Sequence, residues 1–393
     1  MSNALKIGLI GLGNIGGTHV ANLKQMGNIE LVGVCDTAAE KADRYAKECN
    51  TTAYYNYIDL LDKSGLEAVI IAVPHYDHPA IAIEAFRRGV HVLCEKPISV
   101  HVNDAKRMIE SYEQMKQAYP DLVFGIMFQE RTYPQYMKIK DILQGGELGR
   151  LARVTWINTT TFRSQAYYDS GDWRATWAGE GGGILVNQCP HTLDMYQWLF
   201  GLPNRISAHA HIGKYHNIEV EDEVTAYFEH EDGMVGHLIV STAESPGTNR
   251  LEIAGENGKL IFENGKLLFY RNRISMLKFL KETKASFGHV ENWYTEIPTG
   301  VNNPRAHFQV TETFVSAVLN KGGKLVAHGS EGLNSVYIAN GIMMSSFGGS
   351  IVNVPFAGDE YEAKLQQLIQ TSKYVKQVRT DAVVNMGESF GRN

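Results

Sequence analysis

The sequence predicts an α/β protein in two parts: a doubly wound parallel sheet, then an α+β domain built on a mostly antiparallel sheet. Three observations carry this. Up to about residue 128, short β-branched runs alternate with helical stretches, the signature of β-α units with right-handed crossovers. Those runs are apolar throughout rather than at every second residue, as strands covered on both faces require. Beyond about residue 150, strands are joined by turn signals such as Asp232-Gly233 and Asn264-Gly265.

In chain order, strands are expected at Ile7–Ile10, Leu31–Cys35, Ala68–Val73, His91–Leu93 and Leu122–Ile126. Helices are expected at Gly16–Met26, Ala38–Glu48, Pro79–Arg88 and Asn103–Ala118. Arg150–Asn158 reads as a strand, followed by an aromatic-rich loop as far as Gly183. Ile184–Phe200 has helical spacing, with Pro190 expected to disturb its hydrogen bonding. Strands follow between Arg205 and Arg271, then a helix at Gly332–Phe347, a strand at Ile351–Val354, a helix at Glu360–Ser372 and a polar end expected to be disordered. This divides the chain into residues 1–128, 129–355 and 356–393.

A chain of 393 residues has length enough for two cores. Its formal charge of −6, with no Lys/Arg-rich run, argues against a nucleic-acid partner. No apolar run approaches the ~20 residues of a membrane span, and Met1 leads into Lys6–Ile10 with no charged leader. The cysteines Cys35, Cys49, Cys94 and Cys189 form no C-x-x-C pair, so a reducing, cytoplasmic setting is expected. His209-x-His211 lacks a third ligand and is not read as a metal site.

The strongest local motif is Gly11-Leu12-Gly13-Asn14-Ile15-Gly16, between a predicted strand and a predicted helix. Gly11 permits the tight turn, Gly13 lets a pyrophosphate approach the backbone, and Gly16 lets helix and strand pack closely. The helix start offers free N–H groups and a partial positive charge to phosphates. The motif thus predicts a Rossmann dinucleotide site that includes Asn14 and Ile15. Asp36 ends the second strand, 20 residues beyond Gly16, where a carboxylate accepts hydrogen bonds from ribose hydroxyls. It would repel a 2′-phosphate by ~4 kcal/mol per unit charge at ~4 Å and a dielectric of ~20. Thr37-Ala38-Ala39 supplies no compensating cation, although Lys41 and Arg44 follow, so NAD is favoured over NADP.

Two further segments carry chemistry. Glu95-Lys96-Pro97 follows a strand at its carboxyl end, where open α/β sheets bind ligands, and Lys96-Pro97 is a candidate cis bond. Later, Gly181-Gly182-Gly183 precedes Asn187 and His191, whose spacing of four predicts a shared helical face.

Taken together, the ordered motifs make the chain similar to the Gfo/Idh/MocA family of glucose–fructose oxidoreductase and inositol dehydrogenase-like enzymes. They are Gly11-x-Gly13-x-x-Gly16 with His19, Val73-Pro74-x-x-x-His78, Glu95-Lys96-Pro97, and the glycine-rich helix ending His191-x-x-Asp194. The resemblance covers about residues 5–355. It implies a large, open antiparallel sheet, an active site between the domains, and homodimers or homotetramers formed through the open sheet. It further implies that Val73, Pro74, His78 and Glu95 lie along the cofactor. Lys96 would contact the reacting oxygen or the nicotinamide ribose, and His191 would be the acid/base. The family's usual Asp is Asn187 here, which can bond substrate but takes no proton. Asp194 is expected to be a structural acceptor.

The segment Phe162–Gly183 looks like a sugar platform: Arg163, Tyr167, Tyr168, Asp172, Trp173, Arg174 and Trp177 combine aromatic faces with polar rims. Asp172-Trp173-Arg174-x-x-Trp177-x-Gly179-Glu180-Gly181-Gly182-Gly183 with Asn187-Gln188 looks like the branch acting on sugars, glycosides and related polyols. Gln129, Glu130 and Arg131 are further cleft candidates. The expected activity is NAD-dependent oxidation of a ring hydroxyl of a sugar, glycoside or inositol, with hydride passing to nicotinamide C4. His191 would titrate near ~6.5. The alternatives are a transient-oxidation glycosidase or lyase and a non-catalytic NAD-binding regulator.

Overall fold

The computed structural model describes residues 4–300 and 302–379. The first sheet is built from β1 (Leu5–Ile10), β2 (Ile29–Cys35), β3 (Thr52–Tyr54), β4 (Ala68–Ile71), β5 (His91–Cys94) and β6 (Phe124–Ile126). Every neighbouring pair is parallel, in the order β3-β2-β1-β4-β5-β6. The order reverses between β1 and β4, which opens a crevice at their carboxyl ends. Strand β4, Ala-Val-Ile-Ile, is buried at every position, as a strand covered on both faces must be.

Helices α1 (Asn14–Leu23), α2 (Ala39–Cys49), α3 (Tyr57–Lys63), α4 (Asp77–Arg87) and α5 (Val102–Lys116) connect these strands. Sequence reading omitted β3 and α3, whose three and seven residues are too short to show a period.

Beyond α6 (Pro134–Gln144), the second sheet takes strands β7 (Leu151–Asn158), β8 (Arg205–Ile212), β9 (Glu221–Glu229), β10 (Val235–Ser241), β11 (Asn249–Gly255), β12 (Gly258–Glu263), β13 (Lys266–Asn272), β14 (Asn292–Ile297) and β15 (Val352–Asn353). Its order is β14-β13-β12-β11-β7-β10-β9-β8-β15. Only β7 and β10 pair in parallel; the other neighbours are antiparallel. Helix α7 (Gln165–Asp169) lies in the aromatic loop, and α8 (Pro190–Phe200) and α9 (Met276–Glu282) interrupt the strand run. The core beneath this sheet is aromatic, with Trp156, Tyr196 and Phe228 fully buried.

One expectation is corrected. Ile184–Phe200 is not a single helix: residues 184–189 are turns, and α8 begins at Pro190. Proline has no N–H to lose at the first helical position, and its φ suits that position. Pro190 therefore starts the helix instead of disturbing one, and Asn187 and His191 do not share a helical face.

The chain then returns to the first sheet. Helix α10 (Ala306–Leu319) places Val310, Phe314 and Val315 in one core with Leu5, Ile7, Leu9 and Val20. An antiparallel bridge between Gly125 and His328 extends the edge at β6. Helix α11 (Gly332–Gly348) packs on β8 and α8, and α12 (Asp359–Thr371) is tied to α5, with Asn103 donating to Asp359 and Glu362. The core of residues 1–128 is thus closed by a helix from beyond residue 300. The polar end expected to be disordered lies, from residue 380 on, outside the described residues.

Truncating Phe314, fully buried in this shared core, should test the return. Phe314→Ala should cost ~3–5 kcal/mol in urea unfolding, whereas a loss under about 1 kcal/mol, the level of a surface change, would mean that α10 does not close the first core.

Candidate active site

A cleft of about 1170 Å³ runs from the carboxyl ends of β1, β2, β4 and β5 to the aromatic loop of the second domain. At its floor Gly11 has φ +94°, and a Cβ there would sit 2.3 Å from the Ala72 carbonyl oxygen. A Cβ at Gly16 would lie 2.2 Å from the Gly11 carbonyl oxygen, so this glycine is required for packing and does not line the cleft. A Cβ at Gly13 would meet nothing within 4 Å. The space over the turn is open, and α1 starts with no side-chain cap and no acidic residue in its first turn. Its N–H groups and partial positive charge therefore face the cleft uncompensated, which suits a pyrophosphate. Gly13, Asn14 and Ile15 line the cleft here.

Asp36 is anchored at the rim. Its carboxylate accepts from the Leu12 N–H at 2.8 Å and the Ala38 N–H at 2.9 Å, tying the glycine turn to the end of β2. Of the two cations considered near it, Lys41 lines the cleft and Arg44 instead stacks on Tyr45.

Val73, Pro74, Glu95 and Lys96 continue the same wall. The Lys96–Pro97 peptide is cis. Glu95 meets His19 Nε2 at 2.9 Å. Burial pushes the Glu95 carboxyl up, but the His19 hydrogen bond and nearby positive charge bring it down to about 2. Lys96 Nζ donates to the Asn187 carbonyl at 2.7 Å, across the two domains. Burial lowers its pKa, opposed by the negative charges of Glu95 and Glu180.

His191 lies in the first turn of α8, with Gln129 Nε2 donating to its Nε2 at 2.9 Å. Its Nδ1 and the Gln129 Oε1 are buried with no hydrogen-bond partner among the described residues. Burial, then the charge of Lys96, holds His191 well below the ordinary imidazole range rather than near ~6.5. Asn187 turns its amide to Glu180, donating to that carboxylate in a short hydrogen bond.

Of the expected platform, Arg163, Tyr167, Asp172, Trp173 and Arg174 line the cleft, as do Gln129, Glu130 and Gln188. Arg174 stacks on Tyr167 at 4.7 Å and on Trp173 at 4.4 Å, and donates to the Tyr167 hydroxyl at 2.8 Å. Three other residues lie elsewhere. Tyr168 is fully buried, donating to Thr242 at 2.9 Å, and Trp177 is buried near Phe347. His78 is a buried strut between the carbonyls of Pro97 at 2.7 Å and Val73 at 2.9 Å. Arg131 also leaves the cleft, forking onto Asp194 at 2.9 and 2.6 Å and reaching Glu331 at 2.6 Å. Asp194 is thereby a structural acceptor.

In the cleft and behind its wall lie groups to which sequence reading assigned no individual role. His307 enters from α10, which gave no helix signal, and its pKa is depressed by burial to about 4. His75 packs edge-on against Trp173 at 5.7 Å. Glu180, fully buried behind Asn187, is a carboxylate placed between two glycines, and that was the available signal. The glycine run itself admits another chain segment: a Cβ on Gly183 would lie 2.0 Å from the Glu221 carbonyl oxygen.

Comparison with known proteins bears on the family and the fold. Residues 5–119 match the profile of the oxidoreductase family with an NAD-binding Rossmann fold, GFO_IDH_MocA, and residues 136–261 match the GFO/IDH/MocA C-terminal domain. An inositol 2-dehydrogenase of Salmonella typhimurium is 34% identical over 151 residues, 37% of this chain and 43% of that protein. A glucose-6-phosphate 3-dehydrogenase of Bacillus subtilis is 29% identical over 203 residues, 50% of this chain and 53% of that protein. The matches span about half the length of these curated relatives. The WlbA dehydrogenase of Bordetella pertussis, solved with NADH and UDP-GlcNAcA, has a TM-score of 0.74 at 24% identity, covering 90% of this chain and 99% of that one. Levoglucosan dehydrogenase, solved with NADH and levoglucosan, has a TM-score of 0.75 at 20% identity, covering 90% and 100%. At such identities the two structures establish a shared fold.

Two substitutions separate packing from binding. Gly13→Ala should leave the melting temperature unchanged but weaken NADH affinity at least tenfold, read by nucleotide fluorescence; unaltered affinity would remove the glycine turn from the binding site. Asp194→Ala leaves the buried Arg131 charge short of its main partner and should cost ~3–5 kcal/mol in chemical unfolding. A fully stable Asp194→Ala protein would contradict the structural assignment.

Proposed function

Because the chain belongs to the GFO/IDH/MocA family of oxidoreductases with an NAD-binding Rossmann fold, we propose that it is an NAD-dependent dehydrogenase that oxidises a ring secondary hydroxyl of a sugar, glycoside or inositol. The observation that carries this is that Lys96 and His191 both line the cleft that begins at the glycine turn, with the lysine charge acting on the imidazole.

The turn and the first N–H groups of α1 would hold the pyrophosphate. Asp36 keeps acceptor capacity beyond its two backbone bonds for ribose hydroxyls, and its charge disfavours a 2′-phosphate. A nicotinamide bound along Val73, Pro74 and Glu95 supplies a two-electron hydride acceptor. His191, held neutral, takes the hydroxyl proton, a contribution of ~10²–10⁴ in rate. The Lys96 ammonium stabilises the oxygen as negative charge develops, a contribution of ~3–4 kcal/mol. Trp173 and Tyr167 offer apolar faces to ring C–H groups, while Arg174, Asp172 and Gln188 supply polar contacts at the rim. The relatives named for inositol and glucose 6-phosphate support this substrate class.

A panel of inositols, sugars and glycosides with NAD and NADP, read by absorbance of the reduced cofactor, tests the reading. Net NADH with at least one polyol or sugar is expected. Cleavage of a glycoside without net NADH would instead support transient oxidation, and no turnover with any of them would overturn the proposal. His191→Ala should lower kcat by at least ~10² with NADH affinity unchanged; wild-type turnover would remove this histidine from the chemistry.

The pH profile gives a further check. The base is active when neutral, and burial lowers its pKa, so its neutral form persists to lower pH. The rate of alcohol oxidation should hold as pH falls through about 6.5, the ordinary imidazole value. An acid limb centred there would contradict the assignment.

A further inference from the structure

Lys96 carries its charge into a part-buried seam, yet its hydrogen-bond partner is a main-chain carbonyl, that of Asn187. The side chain of the same Asn187 donates to Glu180. Glu180 is 0% exposed and does not line the cleft. Its second carboxylate oxygen accepts from the Ala175 N–H at 2.6 Å. Burial raises the Glu180 pKa, and the N–H donors on both oxygens, with the charges of Arg174 and Lys96, oppose that rise and favour the ionised form.

We propose that Glu180 is a positioning residue: through the Asn187 side chain it fixes the carbonyl that receives Lys96, and it supplies the buried counter-charge that keeps this lysine protonated. The reading rests on the dehydrogenase function proposed above, in which Lys96 must carry a proton to stabilise the reacting oxygen.

Other charges bear on the pair. Glu95 faces Lys96 from β5, Arg163 and Arg174 from the aromatic segment, and Glu130, His191 and His307 from the remaining walls. Glu180 has Arg174, Glu221, Lys376 and Tyr168 around it, and its backbone carbonyl meets His75 Nδ1 at 3.3 Å. Glu95 is engaged by His19, and the two arginines oppose protonation of Lys96. Removing the Glu180 charge therefore leaves those arginines opposed only by Glu95 and the more distant acids.

A purely structural role is the competing explanation. Ala175 has φ +57°, a left-handed backbone for a residue with a Cβ, and the Glu180 carboxylate secures its N–H. The experiment separates the two by moving the charge. In E180Q/N187D the carboxylate and the amide exchange places, so the negative charge returns one residue away in space but the carboxylate at position 180 does not.

The measurement is the pH dependence of Lys96 acylation by acetic anhydride, read by peptide mass spectrometry on the full chain, beside the pH profile of kcat/KM. E180Q should lower the labelling midpoint by about 1 pH unit, the scale of one nearby opposite charge, and move the alkaline limb of kcat/KM equally. E180Q/N187D should restore both. An unmoved midpoint in folded E180Q, or a lowered midpoint that the double variant fails to restore, would overturn the inference. If E180Q does not fold, the double variant decides: a wild-type midpoint supports the proposal and a lowered one defeats it. A shifted midpoint in a protein that oxidises no sugar would sink the dehydrogenase reading and leave the Glu180–Lys96 coupling standing. Turnover with an unmoved midpoint would do the reverse.

Discussion

An ammonium-to-carbonyl contact crosses the cleft between the halves of this molecule. Lys96 leaves the end of β5 in the first sheet and donates to Asn187 in the turn that precedes α8. Taking a lysine charge out of water costs several kcal/mol unless partners replace the solvent. The surroundings are arranged accordingly. Glu95 stays ionised beside it, Asn187 presents its carbonyl, and Glu180 holds Asn187 in place.

The same burial sets the acid–base character of the other groups. His191 and His307 are both pushed toward neutrality by desolvation, and Glu130 is raised to about 7. Two imidazoles are thus driven down and a carboxyl up by one enclosed space, each toward its neutral form. Against this the nucleotide end is open: Gly13 faces empty volume and the start of α1 has no cap. One end of the cleft suits an anion, the other a neutral hydroxyl and its proton.

The candidate site was partly readable from sequence because several of its residues are tied to local geometry. Gly11 by its positive φ and Gly16 by its clash with the Gly11 carbonyl answer to a single strand-turn-helix unit, and Asp36 sits at the next strand end. Lys96 was placed by the rule that ligands gather at strand carboxyl ends. Tyr168 and His78 show where such reading stops. Tyr168 and Tyr167 are neighbours in an aromatic run, but one lines the cleft and the other is fully buried, because consecutive residues of a short helix point apart. His78 belongs to a recognisable motif, but its ring spans two carbonyls behind the cleft wall.

Short-range constraints, then, were enough to give the order of the parallel β-α units, the nucleotide turn and the antiparallel character of the second domain, since periodicity and turn chemistry act within a few residues. Tertiary structure alone decided which distant groups meet. It closed the first core with Phe314, paired Arg131 with Asp194 and Glu331, and brought Lys96 to the Asn187 carbonyl. Each of these depends on which buried charge or apolar face finds a partner in the folded chain. That partner can lie hundreds of residues away, beyond the reach of any local pattern.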